Sequence, residues 1–455
     1  FSRVSYSRSD PLPSLLVSQA ILEKHTIRLD AYMDSEILQK PGFTAKAENG
    51  HNYYYWPLGP SVYSIPFVWL ANLYGKDMAE PTQNDWTQNL ISAVLCSLVL
   101  VILYKICRRF VAPWASLVIA TVSTFGSALI STMGTALWNI DYAVLFVSLA
   151  LLQLCYLETG EPERTNPYLL GGLLFAAFFS RPSTSTFILL TLAFLLLRHR
   201  RVFLKVAGTA AILLFGFLSF SWLEYGTPFP DYFSMDRLHV DRDPIWVALY
   251  GHILGPSRGI LVFSPFFALV LAGILTCFQD LRREALFWFA AAWLGLHILV
   301  TSRSTIWWGG HSYGPRILTE VIPALVLVTA LLWRLIPWKY GPRVQKAVAG
   351  SYILLGMVAV FINGYQGLYN PSSQRWNGTG LDPNVAYSAY VLDWRYPQFA
   401  ATYPSICARN RELVSRALER GTFDLPIYRP GDTITYASGI DSIPPAPGRP
   451  EAALG

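Results

Sequence analysis

Polar and apolar positions divide the chain into a mixed opening and a long apolar body. The first sixty residues are polar and aromatic and close on Tyr55-Trp-Pro-Leu-Gly-Pro60, and after Gly75 one apolar run follows another. Within the opening, Leu15, Leu16, Ile21, Leu22, Ile27 and Leu29 recur at a spacing that predicts a short helix over 15–29. That stretch is too polar to cross a bilayer and suits the interface. Ten later runs approach the length of a span: 89–104, 114–133, 142–156, 168–179, 186–197, 206–222, 260–278, 286–300, 318–333 and 348–362. The fourth and fifth are short.

Composition turns this pattern into a class. Of 455 residues 53% are hydrophobic and 14% charged, where soluble domains carry about 25% charged residues. The expected fold is therefore all-α, a polytopic transmembrane helical bundle. The expected divisions are an extracytoplasmic loop with interfacial helices at 1–88, the helical domain at 89–362, an extracytoplasmic cap at 363–440 and a Pro-rich end at 441–455. Phe1 is not an initiator Met, and a further span is expected upstream of it.

The net charge of +6 matters less than where the cations fall. With 1–86 outside, the inner loops hold Lys105, Arg108 and Arg109; Arg198, Arg200, Arg201 and Lys205; Arg282 and Arg283; and Arg334, Lys339, Arg343 and Lys346, as the positive-inside rule requires. The loop at Glu158 is the exception. An even number of crossings returns the tail to the side of the opening segment, making an integral, multi-pass protein with its long loops and carboxyl terminus extracytoplasmic. No clustered basic face points to a nucleic acid. Five scattered cysteines suggest neither a disulfide framework nor a zinc site.

The outer side collects the long segments rich in Trp, Tyr, Pro and Gly, where function concentrates. Their motifs run in a set order: the acidic opening loop, Tyr55-Trp-Pro-Leu-Gly-Pro60, Gly134-Thr-Ala-Leu-Trp-Asn-Ile-Asp141, Arg181-Pro182, Pro256-Ser-Arg-Gly-Ile-Leu-Val-Phe-Ser-Pro265 and Trp307-Trp-Gly-Gly-His-Ser-Tyr-Gly-Pro-Arg316. Together they resemble the polytopic membrane glycosyltransferases of the GT-C class, in the branch of the protein O-mannosyltransferases and aminoarabinose transferases. The resemblance extends to about Ile362 and lies in the order of the motifs. It implies a GT-C-like fold and an inverting enzyme that moves a sugar from a polyprenyl-phosphate donor, a membrane lipid, to an extracytoplasmic acceptor (protein, lipid or polysaccharide).

Such a reaction needs a base for the acceptor hydroxyl, a job suited to a carboxylate. Asp10 is the expected base, with a plain turn at Ser9-Asp10-Pro11 as the alternative. Asp141, at the start of a span, is the second catalytic candidate, since a carboxylate there needs a wet cavity or a cation; a helix cap is the alternative. The leaving phosphate needs cations, and Arg suits bidentate contacts. Arg181, Arg258, Arg303 and Arg316 lie near the outer boundary, with Arg258 and Arg316 leading because each sits in a Gly- and Pro-containing turn. Snorkelling to lipid head groups would explain any one of them.

His311 is expected in the cavity wall. A lone His names no metal site, so no cofactor is assigned and a divalent metal is left open. Tyr55, Trp308 and Tyr313, with Trp307, Tyr53, Tyr54 and Trp56, form either a substrate wall or an interfacial aromatic belt. Members of the resembling family often carry Lys in the segment matching 53–57; here it is Tyr-Tyr-Tyr-Trp-Pro, so either the phosphate is held from other loops or the donor differs. The tail is expected to cap the outer loops, with a helix at 407–420 and a sequon at Asn377-Gly-Thr379. The rival readings are a noncatalytic membrane scaffold and a transporter subunit, the latter without any internal repeat to support it.

Overall fold

A computed structural model describes residues 2–39, 42–47, 49–233, 243–378 and 387–419. The Pro-rich end at 441–455 and Thr379 of the sequon lie outside the described residues. The helices are α1 (Ser14–Lys24), α2 (Gly59–Tyr63), α3 (Ile65–Leu73), α4 (Pro81–Cys107), α5 (Pro113–Phe125), α6 (Ala128–Met133), α7 (Asn139–Glu158), α8 (Pro167–Ser180), α9 (Ser185–Arg198), α10 (Arg200–Tyr225), α11 (Ile245–Leu254), α12 (Ile260–Phe263), α13 (Phe266–Leu281), α14 (Ala285–Thr301), α15 (Ile322–Val360), α16 (Pro371–Arg375), α17 (Tyr387–Val391) and α18 (Tyr403–Glu419). Among the described residues, five helical stretches are long and apolar enough to cross a membrane: Pro81–Cys107, Asn139–Glu158, Arg200–Tyr225, Arg316–Ile336 and Lys339–Gln366. Shorter apolar helices fill the gaps between them. The protein is an all-α integral membrane bundle, with one two-stranded hairpin, β1 (Thr44–Lys46) against β2 (Asn52–Tyr54), in the opening segment.

Three expected spans differ in detail. The first begins at Pro81, eight residues before the apolar run, because Glu80 caps the helix by accepting from the backbone N–H of Thr82 at 3.1 Å and Gln83 at 2.8 Å. Its polar first turns are buried against the opening segment: Asn84 donates to the Leu12 carbonyl at 3.2 Å and Gln88 to that of Ser7 at 3.2 Å. The run at 114–133 breaks at Gly126–Ser127 into α5 and α6, and the run at 260–278 breaks at Ser264–Pro265 into α12 and α13. The expected inner loop at 334–346 is helical apart from Gly341, whose φ of 81° and ψ of 169° kink α15.

Breaks inside an apolar bundle free carbonyls that no water reaches, and each unpaired one is costly. Asn363, fully buried in the π-turn Phe361–Gln366, answers both breaks. Its Nδ2 donates to the carbonyls of Gly126 at 3.1 Å, Phe263 at 2.7 Å and Ala359 at 3.1 Å, and its Oδ1 accepts from Ser131 at 3.2 Å. Ser264 adds a second bond to Gly126 O at 2.8 Å. A Cβ on Gly126 would stand 3.0 Å from the Ala359 Cβ and 3.1 Å from the Phe266 ring, so the three helices meet closer there than a side chain permits.

The loops gather at two ends. At one, Arg198 pairs with Glu158, Arg109 with Glu161, Arg334 with Glu284 and Lys339 with Asp280. At the other, the opening segment docks on the bundle through Tyr6 N–H to Thr135 O at 2.9 Å and Val4 N–H to Leu368 O at 2.9 Å. A second small core of Leu16, Val17, Leu29, Tyr53 and Tyr54 stiffens that segment, and a third around Trp307, Trp376, Val391 and Ile406 joins the tail to the 302–315 loop. We expect Asn363→Leu to lower stability by roughly 2 to 4 kcal/mol, since it strands buried carbonyls and a hydroxyl. The thermal midpoint of the purified protein in detergent measures it; a variant as stable as the parent would remove Asn363 from this role.

Candidate functional site

Asp10 lies in a tight turn just before α1, where Ser9 N–H bonds Tyr6 O at 3.0 Å and Leu12 N–H bonds Ser9 O at 2.9 Å. Tyr54 Oη donates to the Asp10 main-chain carbonyl at 2.8 Å, so strand β2 fixes the turn. The carboxylate is half-buried, and its field reaches Tyr54, His311 and Arg316. The opening segment and the 302–316 stretch thus come within electrostatic reach of each other at the loop-rich end.

Arg316 closes that stretch. Its guanidinium lies 4.0 Å from the centroid of the Trp138 ring, and Nη2 donates to Gly309 O at 2.6 Å. A cation over an indole face is held without losing its donors, and Nε has no hydrogen-bond partner within the protein. Gly309 and Gly310, at φ 81° and 67°, supply the left-handed turn that aims their carbonyls at Arg316 and Arg258 respectively. Besides Asp10, the charges and phenols acting on Arg316 are Arg181, Tyr232 and Arg258.

Asp141 sits in the first turn of α7, wholly buried. Ser92 Oγ donates to its Oδ2 at 3.2 Å, Oδ1 has no partner, and the fields of Arg181 and Arg316 reach it. Arg181 in turn is held by a residue the sequence reading did not single out. Glu320, 1% exposed, pairs with Arg181 Nε at 2.5 Å and accepts from Ser183 Oγ at 2.6 Å, with His297 Nδ1 3.8 Å from its other oxygen. Arg181 Nη1 donates to Asn139 Oδ1 at 3.1 Å, two residues before Asp141.

The remaining candidates separate. Arg258 is 1% exposed and is spent on protein acceptors: Nε on Trp308 O at 2.7 Å, Nη1 on Ser257 O at 2.7 Å and on Gln398 Oε1, and Nη2 on Gly310 O at 3.3 Å and Asn377 Oδ1 at 3.4 Å. It clamps the tail to the 302–315 loop, so the expected phosphate contact gives way to a buried tie. Tyr313 is likewise interior, its Oη donating to Ile362 O at 2.7 Å. Trp308 is half-buried beside Trp307 and Tyr55 is half-buried against Trp56 and Tyr232. Arg303 is exposed. Asn377 is no open glycosylation acceptor: it is 4% exposed and donates to Tyr6 Oη at 2.9 Å.

His311 is open to solvent yet surrounded by protein, and desolvation with the nearby Arg258 charge holds its pKa below the usual 6.5, against the pull of Asp10. Burial, then Asp10, raises Tyr54 far above the usual phenol range, so it stays a neutral donor. Among the described residues no group of three His, Cys, Asp or Glu is placed to hold a metal ion. The sequence reading also missed Trp138, Asn139, Tyr232 and Gln398. Glu320 carried a signal, an ionisable residue inside an apolar run, whereas Gln398 carried none.

No family model matches the chain, and no curated protein matches it. Among solved structures it is similar to the oligosaccharyltransferase of Archaeoglobus fulgidus, crystallised with an acceptor peptide containing the NVT sequon tethered through a disulfide bond. The likeness has 13% identity and a TM-score of 0.47 over 87% of this chain and 60% of that one. This chain therefore aligns with about three-fifths of that protein's length, and a likeness of this degree decides neither donor nor acceptor.

Two outcomes follow from the geometry. Glu320→Ala leaves the Arg181 charge uncompensated and should cost about 3 to 5 kcal/mol, with Arg181→Met restoring much of the loss in a double-mutant cycle read by thermal unfolding. For His311 the folded pKa lies below the unfolded one, so its contribution is complete above about pH 6.5 and is lost as pH falls through the folded value. His311→Gln should therefore flatten the fall in thermal midpoint between about pH 7 and pH 5.5; an unchanged slope would show that His311 does not titrate there.

Proposed function

We propose that the protein is a membrane glycosyltransferase of the GT-C type, transferring a sugar from a polyprenyl-phosphate donor to an acceptor at the loop-rich face, which we take as extracytoplasmic. The observation that carries the reading is that the half-buried Asp10 carboxylate lies within the field of Arg316, a guanidinium on another segment, at the loop-rich end of a membrane-embedded bundle. Departure of a lipid phosphate builds anionic charge where a guanidinium must stand ready, and attack by a hydroxyl needs a base on the other side. Arg316 keeps an uncommitted Nε for the first task, and the half-buried Asp10 carboxylate fits the second.

Asp141 is assigned a supporting part. Buried, with one oxygen unpartnered and within the fields of Arg181 and Arg316, it orients the acceptor or the guanidinium. His311, neutral near pH 7, hydrogen-bonds substrate oxygens at the mouth, while Tyr55 and Trp308 supply ring faces. Arg181, already paired with Glu320, shapes the field at Asp141 without needing to touch the donor.

The test is sugar transfer in proteoliposomes with a labelled polyprenyl-phosphate sugar. Asp10→Asn should lower turnover by about 10²- to 10⁴-fold at normal expression and unchanged thermal stability. Arg316→Ala should lower it as well and also weaken donor binding. Unaltered transfer by Asp10→Asn, Asp141→Asn and the double variant would end the assignment of the base and favour a scaffold.

A further inference from the structure

A cavity lies apart from the Asp10 site. It has a volume of about 650 Å³ and is lined by α1, α2, α3, α8 and α10 at the loop-rich end, within the range typical of ligand sites. Its walls are apolar, chiefly Phe175 and Phe179 of α8, Phe217 and Phe220 of α10, and Ile21 of α1. Polar side chains appear only as His25, Thr26 and Glu224. From Phe217 to Glu224 at the end of α10 the wall rises about 10 Å.

The surroundings decide what fills it. α10 is one of the helices apolar enough to cross a bilayer, and its outward residues Ile212 and Leu223 are 74% and 84% exposed, so the groove lies beside lipid-facing surface. Water would find no hydrogen-bond partners along the phenylalanines. A hydrocarbon chain loses nothing by entering.

The rim sets the head group. Arg28 Nε pairs with Glu224 Oε1 at 2.7 Å, Tyr53 Oη donates to Glu224 Oε1 at 2.9 Å, and His51 bridges Arg28 at 3.0 Å and Asp30 at 2.8 Å. Opposite charges are balanced there. That suits a head bearing both signs and gives no surplus cation for a sugar-phosphate anion. Strand β2 divides the two sites, Tyr53 bonding Glu224 on one side and Tyr54 bonding Asp10 on the other. We infer that this groove binds one acyl chain of a zwitterionic phospholipid of the surrounding bilayer, as a resident lipid that packs the opening segment against α8 and α10. The inference needs only that these helices lie in a membrane and is independent of the transferase reading.

The full chain in nanodiscs of phosphatidylcholine bearing a photoreactive group on one acyl chain provides the test. After exchange into unlabelled nanodiscs and irradiation, crosslinks at Ile21, Phe175 and Phe217 should persist while those at the outward residues Leu189 and Ile212 disappear. Ile21→Trp should cut the retained crosslink about tenfold, the loss expected from displacing roughly two methylenes, and Val62→Trp provides the same reading if the first variant unfolds in a thermal scan. Groove labels that exchange as fast as those at Leu189 and Ile212 would overturn the inference. Displacement by one equivalent of polyprenyl phosphate but not by phospholipid would overturn it too, assigning the groove to an isoprenoid carrier.

Discussion

The architecture turns on one rule of apolar solvents, that a backbone carbonyl released from a helix must find another donor. Two helices of this bundle break in the interior, at Gly126 and at Ser264, and both breaks point their freed carbonyls at Asn363. The two N–H groups of that amide reach three carbonyls, one hydrogen being shared, from within the π-turn where Asn363 sits. Irregular backbone at depth is tolerated here only because its polar groups are answered from within the protein.

A similar accounting separates the arginines. A guanidinium has five N–H donors in a fixed fork, so its surroundings tell what it is for. Arg258 meets carbonyls of Ser257, Trp308 and Gly310 and the side chains of Gln398 and Asn377, all from protein. These contacts tie two loops and the tail together. Gln398, wholly buried, completes the tie by donating to Ser312 O and Ser373 O at 3.0 Å each. The tie matters because Asp10 and Arg316 stand on different segments, and their separation is fixed only if those segments cannot slide.

The class of the molecule was legible in the chain because hydrophobic runs of span length are a strong signal, and most spans came within a few residues of their helices. The errors have physical sources. Polar residues such as Asn84 and Gln88 read as loop, yet they are helical because the opening segment supplies acceptors for them. The interruptions at Gly126 and Ser264 were invisible because small residues are common in membrane helices and the compensating Asn363 lies far along the sequence. The site was half legible. The Asp10 turn and the Gly309–Gly310 corner advertise themselves by local chemistry, whereas the commitment of Arg258 depends on Gln398, 140 positions away.

The proposed role of Arg316 is supported by the way the neighbouring charges are paired. Glu320 takes Arg181, at 2.5 Å and almost without solvent, and this removes more than a ligand. Left unpaired, Arg181 would compete for Asp141, whose free oxygen lies within its field, and would repel Arg316. A buried carboxylate set against the outer arginine therefore keeps the inner carboxylate open and lowers the cost of holding a second guanidinium nearby. Arg316, steadied by an indole face and one carbonyl rather than by an anion, retains both its charge and an unused donor. On the proposed reading, a lipid phosphate arriving near Asp10 would meet a guanidinium that is in no ion pair with a carboxylate.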